Sequence, residues 1–335
     1  ESFGSASSRL QMTKDAHEGI IDTIKSFIQG IIAFVKKMVK KVVDWFKNLL
    51  DGKKRLKKRV EVLEKAVANM GSELKDRSQK LSLPEGLTIG GRAPTGSTLA
   101  TAFATMGKAV AGAAKLQEDM ATTCKDATAE ATKNLSATSG EAELKVVVDK
   151  IRASFSKPLA GGNGFDTGAL TQNQNGALEG TEFPGSKVLI KVAPKSTETK
   201  DLSLSSFIGL YGFRFVDSKK NLKMDAKLEI KPLASGECLT LLNGILAFLD
   251  GKDDGGDGYK SLSDDVETNL DKLRDFADKL ETGDSDKGAV LRGFATGLQT
   301  MMSGASSQIV KVQSYTLKRC QQGANLVAAS VSAYK

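Results

Sequence analysis

Gly91-Arg92-Ala93-Pro94-Thr95-Gly96-Ser97-Thr98 comes within one residue of the phosphate-cradling loop GxxxxGK[ST]. That loop needs a lysine to reach the terminal phosphates, and Ser97 stands in its place. No strand pattern precedes it, and Ser97 or Thr98 as a helix cap explains the same residues. Phe165-Asp166-Thr167-Gly168-Ala169 resembles the catalytic turn of aspartic proteases, but that chemistry needs two aspartates sharing a proton. The chain holds no second copy, so a surface turn is expected there. Asp250, Asp253, Asp254 and Asp257 lie among glycines, as calcium ligands do. Asp250, Asp254 and Gly255 fit the helix-loop-helix calcium template. Lys252 and Ser261 occupy two of its ligand positions, which favours a solvated acidic turn.

His17 is the sole histidine, so no site built on several imidazoles exists. It reads as a residue near a helix start, behind Asp15 as cap and with Glu18 in the capping-box position. Cys124, Cys238 and Cys320 are far apart and odd in number, with no CxxC pair. They imply no disulfide framework and carry no nucleophile signature. Neither an enzyme nor a cofactor is expected, and no metal site.

The elements carry a clearer signal. In residues 20–50, Ile21, Ile24, Ile28, Ile31, Val35, Met38, Val42, Trp45 and Leu49 recur in alternating steps of three and four. Lys25, Lys36, Lys37, Lys40, Lys41 and Lys47 fill most of the opposite face. The pattern is that of a long basic amphipathic helix. Asp51-Gly52 reads as a turn. A second helix should follow with Leu56, Val60, Leu63, Val67, Met70 and Leu74 as its seam, giving a helical hairpin with a basic tip.

From Lys25 to Arg59, twelve Lys/Arg stand against Asp44 and Asp51, a local net of about +10 on a chain whose total is +8. Such an asymmetry suits a polyanionic partner, either nucleic acid or an anionic membrane. A solvated helix face is the plain alternative. No run of apolar residues is long enough for a membrane-spanning helix, and there is no secretory signal pattern. The chain opens on Glu1 rather than Met, as either a processed product or an artificially trimmed chain would.

Residues 81–97 hold Pro84, Gly86, Gly90, Gly91, Pro94 and Gly96 and read as a linker. Ala/Thr-rich helices are expected over 98–157. A long Gly/Asn/Gln/Thr loop and a small antiparallel sheet fill 158–235, with strands at 187–192, 207–216 and 222–230. Residues 236–335 return to helix, as Cys238 to Leu249, Leu262 to Leu280 and a long final helix from Lys287. The final helix has a weak middle at 302–307 where a kink is possible, and it should pack back on the hairpin over 1–80. The fold class is therefore mainly α: elongated helical hairpins and a long C-terminal helix, with a small antiparallel β-sheet insertion.

The opening Glu1 to Leu10, the Ile/Val/Lys/Trp-Phe helix, Leu50-Asp51-Gly52-Lys53-Lys54 and the close Ala329 to Lys335 together resemble the internal head proteins of large tailed bacteriophages. The resemblance covers residues 1–65 and 286–335. It implies a virion structural protein, trimmed from a longer precursor by a prohead protease and held in the head with the DNA. It also implies other head proteins as partners, with host cytoplasm as the location during assembly. No catalytic residues come with it.

The expectation is a non-enzymatic protein that contacts packaged DNA through Lys36, Lys37, Lys40, Lys41, Lys53, Lys54, Arg55, Lys57, Lys58 and Arg59. These residues lack interleaved aromatics, so they would read phosphate and not sequence. The chain has seams that also allow contact with itself. The alternative is a membrane-active or ejected protein that lays the face of residues 20–50 on a bilayer.

Overall fold

The computed structural model describes residues 6–137, 141–160, 170–172, 178–180, 183–192, 202–210, 212–217, 228–250, 268–269, 271–280 and 285–335. The Asp166 turn, the acidic residues Asp253, Asp254 and Asp257, and most of the expected strand over 222–230 lie outside these residues.

Two long helices dominate. Helix α1 spans Ala6–Ala68 and helix α7 spans Ser285–Ala333. Between them come strand β1 (Leu81–Ser82), a 3-10 turn (Glu85–Leu87), α2 (Gly96–Ala137), α3 (Glu141–Ala160), and strands β2 (Leu170–Gln172), β3 (Leu178–Gly180) and β4 (Lys187–Val192). Then follow α4 (Leu204–Leu210), β5 (Gly212–Asp217), β6 (Glu229–Ile230) and α5 (Ser235–Leu249), and a helix α6 whose described residues are 268–269 and 271–278. The mainly helical fold with a small antiparallel insertion is as expected.

The hairpin expected over 1–80 is not formed. Asp51 and Gly52 lie inside α1, which at 63 residues is about 95 Å long. The seam residue Leu49 and the next, Leu56, are one heptad apart, so the apolar stripe crosses Gly52 without a change of phase. A helix-interior glycine costs about 1 kcal/mol. Burial of Val42, Phe46, Leu49, Leu56 and Val60 along the same stripe contributes about 1.5–3 kcal/mol each and outweighs it. Asp15 and His17 likewise fall inside the helix rather than at its start.

Helix α7 is the axis of the molecule. It contacts α1, α2, α3, α4, α5 and β5, and it stays helical through 302–307, where a kink had been possible. α1 runs parallel to it. A Cβ on Gly52 would lie 2.9 Å from the Leu317 side chain, and each residue stands sixteen positions before the end of its own helix. Beyond those ends Leu74 bridges Tyr334, and Lys335 donates its N–H to the Glu73 carbonyl at 2.9 Å.

The four-stranded sheet has the order β2-β3-β4-β5, antiparallel throughout, with Val188 opposite Val216 and Leu189 opposite Phe215. The strand expected over 207–216 divides: Phe207 and Ile208 are buried in α4, and only β5 is extended. Phe215 carries the sheet onto the axis, edge-on to Tyr315 at 5.0 Å, while its N–H donates to Gln308 Oε1. Part of the expected loop over 158–185 is strand, as β2 and β3.

Residues 81–97 are not a free linker. Leu81 pairs with Ile230, and Leu83 and Leu87 are buried. Gly185, in the left-handed region at φ 79°, sits against Gly86 and donates its N–H to the Thr88 carbonyl at 2.7 Å.

Candidate nucleic-acid interface

The expected contact residues all lie on α1, and the axis beside it sorts them by azimuth. Each residue turns the helix by about 100°, so positions eighteen apart share a direction after five turns. Lys37 and Arg55, Lys40 and Lys58, and Lys41 and Arg59 are three such pairs. All six are exposed, as is Lys54. They form one outward stripe. The apolar seam of Ile28, Ile31, Val42, Phe46, Leu49 and Leu56 points inward and is buried in the core.

Lys53 does not belong to the stripe. It lies about 160° round the helix from Lys37 and is only 6% exposed. Its Nζ stands 4.5 Å from the centre of the Phe248 ring, a cation–π contact at the junction of α1 and α5. Lys53 is thus a core-facing residue, and its assignment to the contact set is corrected. It sits in the same heptad stripe as Leu49 and Leu56, so its inward direction follows from position even though its charge suggests the surface.

Two further lysines are engaged on the flanks. Lys57 Nζ donates to Asp250 Oδ1 at 2.6 Å, and Lys36 lies 3.5 Å from Asp271. The Asp250 carboxylate, by hydrogen bond and then by charge, holds the Lys57 ammonium above its ordinary pKa. Asp250, a supposed calcium ligand, therefore serves as an ion-pair partner at the C-cap of α5. Among the described residues no group of acids, histidines and cysteines could hold a metal ion.

The phosphate-loop match also resolves into structure. The Thr98 N–H donates to Thr95 Oγ1 at 3.2 Å, so Thr95 caps α2 rather than Ser97 or Thr98. Gly96 at the start of that helix is covered by the Glu237 side chain, where a Cβ would come within 2.6 Å. Ile89 and Arg92 close the preceding turn on each other, with Gly90 and Gly91 at positive φ. The three cysteines are buried. Burial alone pushes the Cys124 thiol up to about 12, and burial with the Glu237 charge pushes Cys238 up to about 11. A buried thiol held protonated is a weak nucleophile.

A family model for phiKZ-like phage internal head proteins matches residues 1–324. The chain belongs to that family. This internal head protein is a virion structural component of the head interior, in association with other head components. No curated protein and no solved structure matches it significantly. No helix among its described residues is long and apolar enough to cross a membrane.

Proposed function

We propose that this internal head protein contacts packaged DNA non-specifically through the outward stripe of α1: Lys37, Lys40, Lys41, Lys54, Arg55, Lys58 and Arg59. One observation carries the reading. These cations share one exposed face of a helix whose opposite face is buried in the core, so the charge is presented, not folded inward. The family's place inside the head supports a DNA partner. Lys36 and Lys57 join as flanking contacts when their ion pairs to Asp271 and Asp250 open. The contact is with phosphate, so log affinity falls linearly with log salt. A filter-binding titration on unrelated duplexes from low to high salt tests it. Binding that is absent at low salt, or indifferent to salt, overturns it. The same reading includes processing from a longer precursor and passage through the host cytoplasm during assembly, as the resemblance implies. The mass of the virion protein against that of its full gene product tests the processing.

A second reading, engagement of a bilayer, draws on Phe27 and Phe34, which are 40% and 44% exposed and one heptad apart on α1. Most of the apolar face it would need is in the core. Dye retention by anionic vesicles at saturating protein removes it.

A further inference from the structure

The outward stripe of α1 is not continuous, and the interruption points to a second property of the same face. Lys37, Lys40 and Lys41 form one patch; Lys54, Arg55, Lys58 and Arg59 form the other. The eighteen-residue repeat sets equivalent cations of the two patches about 27 Å apart at 1.5 Å per residue. Between them the exposed residues are Asp44, Lys47, Asn48 and Asp51. Lys47 lies 3.6 Å from Asp44, which leaves Asp51 to make the interval net negative. Charges on a surface are screened over about 10 Å at 0.1 M salt. The nearest cations of the two patches, Lys41 and Lys54, stand thirteen residues or about 20 Å apart along the axis, about twice the screening length, so the patches act as two sites and not as one field.

A duplex laid along α1 would carry about twelve phosphates past this interval, at one charge per 1.7 Å. It would set them against Asp44 and Asp51. A duplex lying across α1 meets one patch and avoids the interval, leaving the other patch for a second duplex alongside. The geometry points to a bivalent DNA contact in which one copy of this protein ties two duplex segments together. The inference rests on the DNA reading above and goes beyond it, since binding alone needs only one patch.

The test uses the full chain and two short duplexes of unrelated sequence. One is tethered to beads and the other is free and fluorescent. The wild type retains the free duplex on the beads at moderate salt. K37Q/K40Q/K41Q and K54Q/R55Q/K58Q/R59Q each still bind a single duplex, with the salt slope reduced by about three to four, and each loses the co-capture. D44N/D51N joins the patches and steepens the slope for one duplex. Wild-type protein that binds each duplex singly but never holds both overturns the inference and leaves the DNA reading standing. Single-patch variants that still co-capture also overturn it, because self-association then does the bridging. Absence of any duplex binding removes the DNA reading itself.

Discussion

Lys53 Nζ lies 4.5 Å from the ring centre of Phe248, with the lysine only 6% exposed. A cation in the seam between α1 and α5 is tolerated because the aromatic face and the polar reach of the side chain replace part of its hydration. Lys53→Met keeps the volume and the packing, so it should leave stability within about 1.5 kcal/mol. Lys53→Glu places an acid over the electron-rich ring and should cost about 3 kcal/mol or more. Neither change belongs to the DNA face. Urea midpoints should separate the two variants, while duplex affinity of Lys53→Met should match the wild type.

Gly244 and Gly30 make opposite cases for the same substitution. A Cβ on Gly244 would lie 2.7 Å from the Ala100 carbonyl oxygen, where α5 crosses α2 backbone to side. Backbone cannot swing aside as a side-chain tip can, so Gly244→Ala should destabilise by about 1–3 kcal/mol. A Cβ on Gly30 meets nothing within 4 Å. Gly30→Ala should therefore gain up to about 1 kcal/mol from helix propensity. Thermal melts of the two variants should move in opposite directions.

Gln313 is fully buried on the axis, and neither the oxygen nor the nitrogen of its amide has a hydrogen-bond partner among the described residues. A desolvated amide of this kind costs about 1–3 kcal/mol. Gln313→Met fills the same space without polar atoms and should raise the unfolding midpoint. A lowered midpoint would mean that the amide has a bound water or ligand.

Alkali should weaken the fold. Burial raises the thiols of Cys124 and Cys238 to about 12 and about 11, from an ordinary value of 9.0. The unfolded chain therefore ionises first. The stability tied to these groups is complete below about pH 9 and is lost as pH climbs toward their folded values. Lys57, raised above its ordinary 10.5 by Asp250, acts in the same direction at the top of that range. Denaturation midpoints at pH 7 and 10.5 should differ, with the alkaline sample weaker, and a thiol reagent at pH 8 should react only after unfolding. Equal midpoints would contradict the assignment.

Asp250 and Asp271 hold Lys57 and Lys36 at the edges of the basic helix. The Lys57–Asp250 pair is about half exposed, so its loss costs little stability, whereas Asp271 Oδ1 is buried and the same carboxylate holds Arg274 at 3.2 Å, so removing its charge costs more. The double substitution to asparagine frees two cations for phosphate. It should tighten duplex binding and steepen the salt slope by about two. Unchanged binding would mean that neither lysine reaches DNA.

Much of this was legible in the residues themselves. The three-four spacing from Ile28 to Val67 defines one face of a helix, and the lysines define the other, because side-chain direction on a helix depends only on position. The seam of α7 is legible for the same reason. What local signals misread is Asp51-Gly52, whose turn chemistry is real but worth about 1 kcal/mol. Tertiary burial of Phe46, Leu49 and Leu56 against α7 overrides it. Phe207 misled similarly: its apolar run suits a strand or a buried helix, and packing against α7 decided for helix.

The sequence by itself determined that this protein is a basic, mostly helical chain with an inward stripe and an outward charge on its first helix. Those properties are periodic and local. Only the tertiary structure decided which cations remain outside. Lys53 and Phe248, like Lys57 and Asp250, lie almost two hundred residues apart, and Gly52 and Leu317 lie more than two hundred and sixty apart. Whether a lysine meets solvent, a carboxylate or an aromatic ring depends on which distant helix lies beside it, and no spacing within α1 encodes that neighbour.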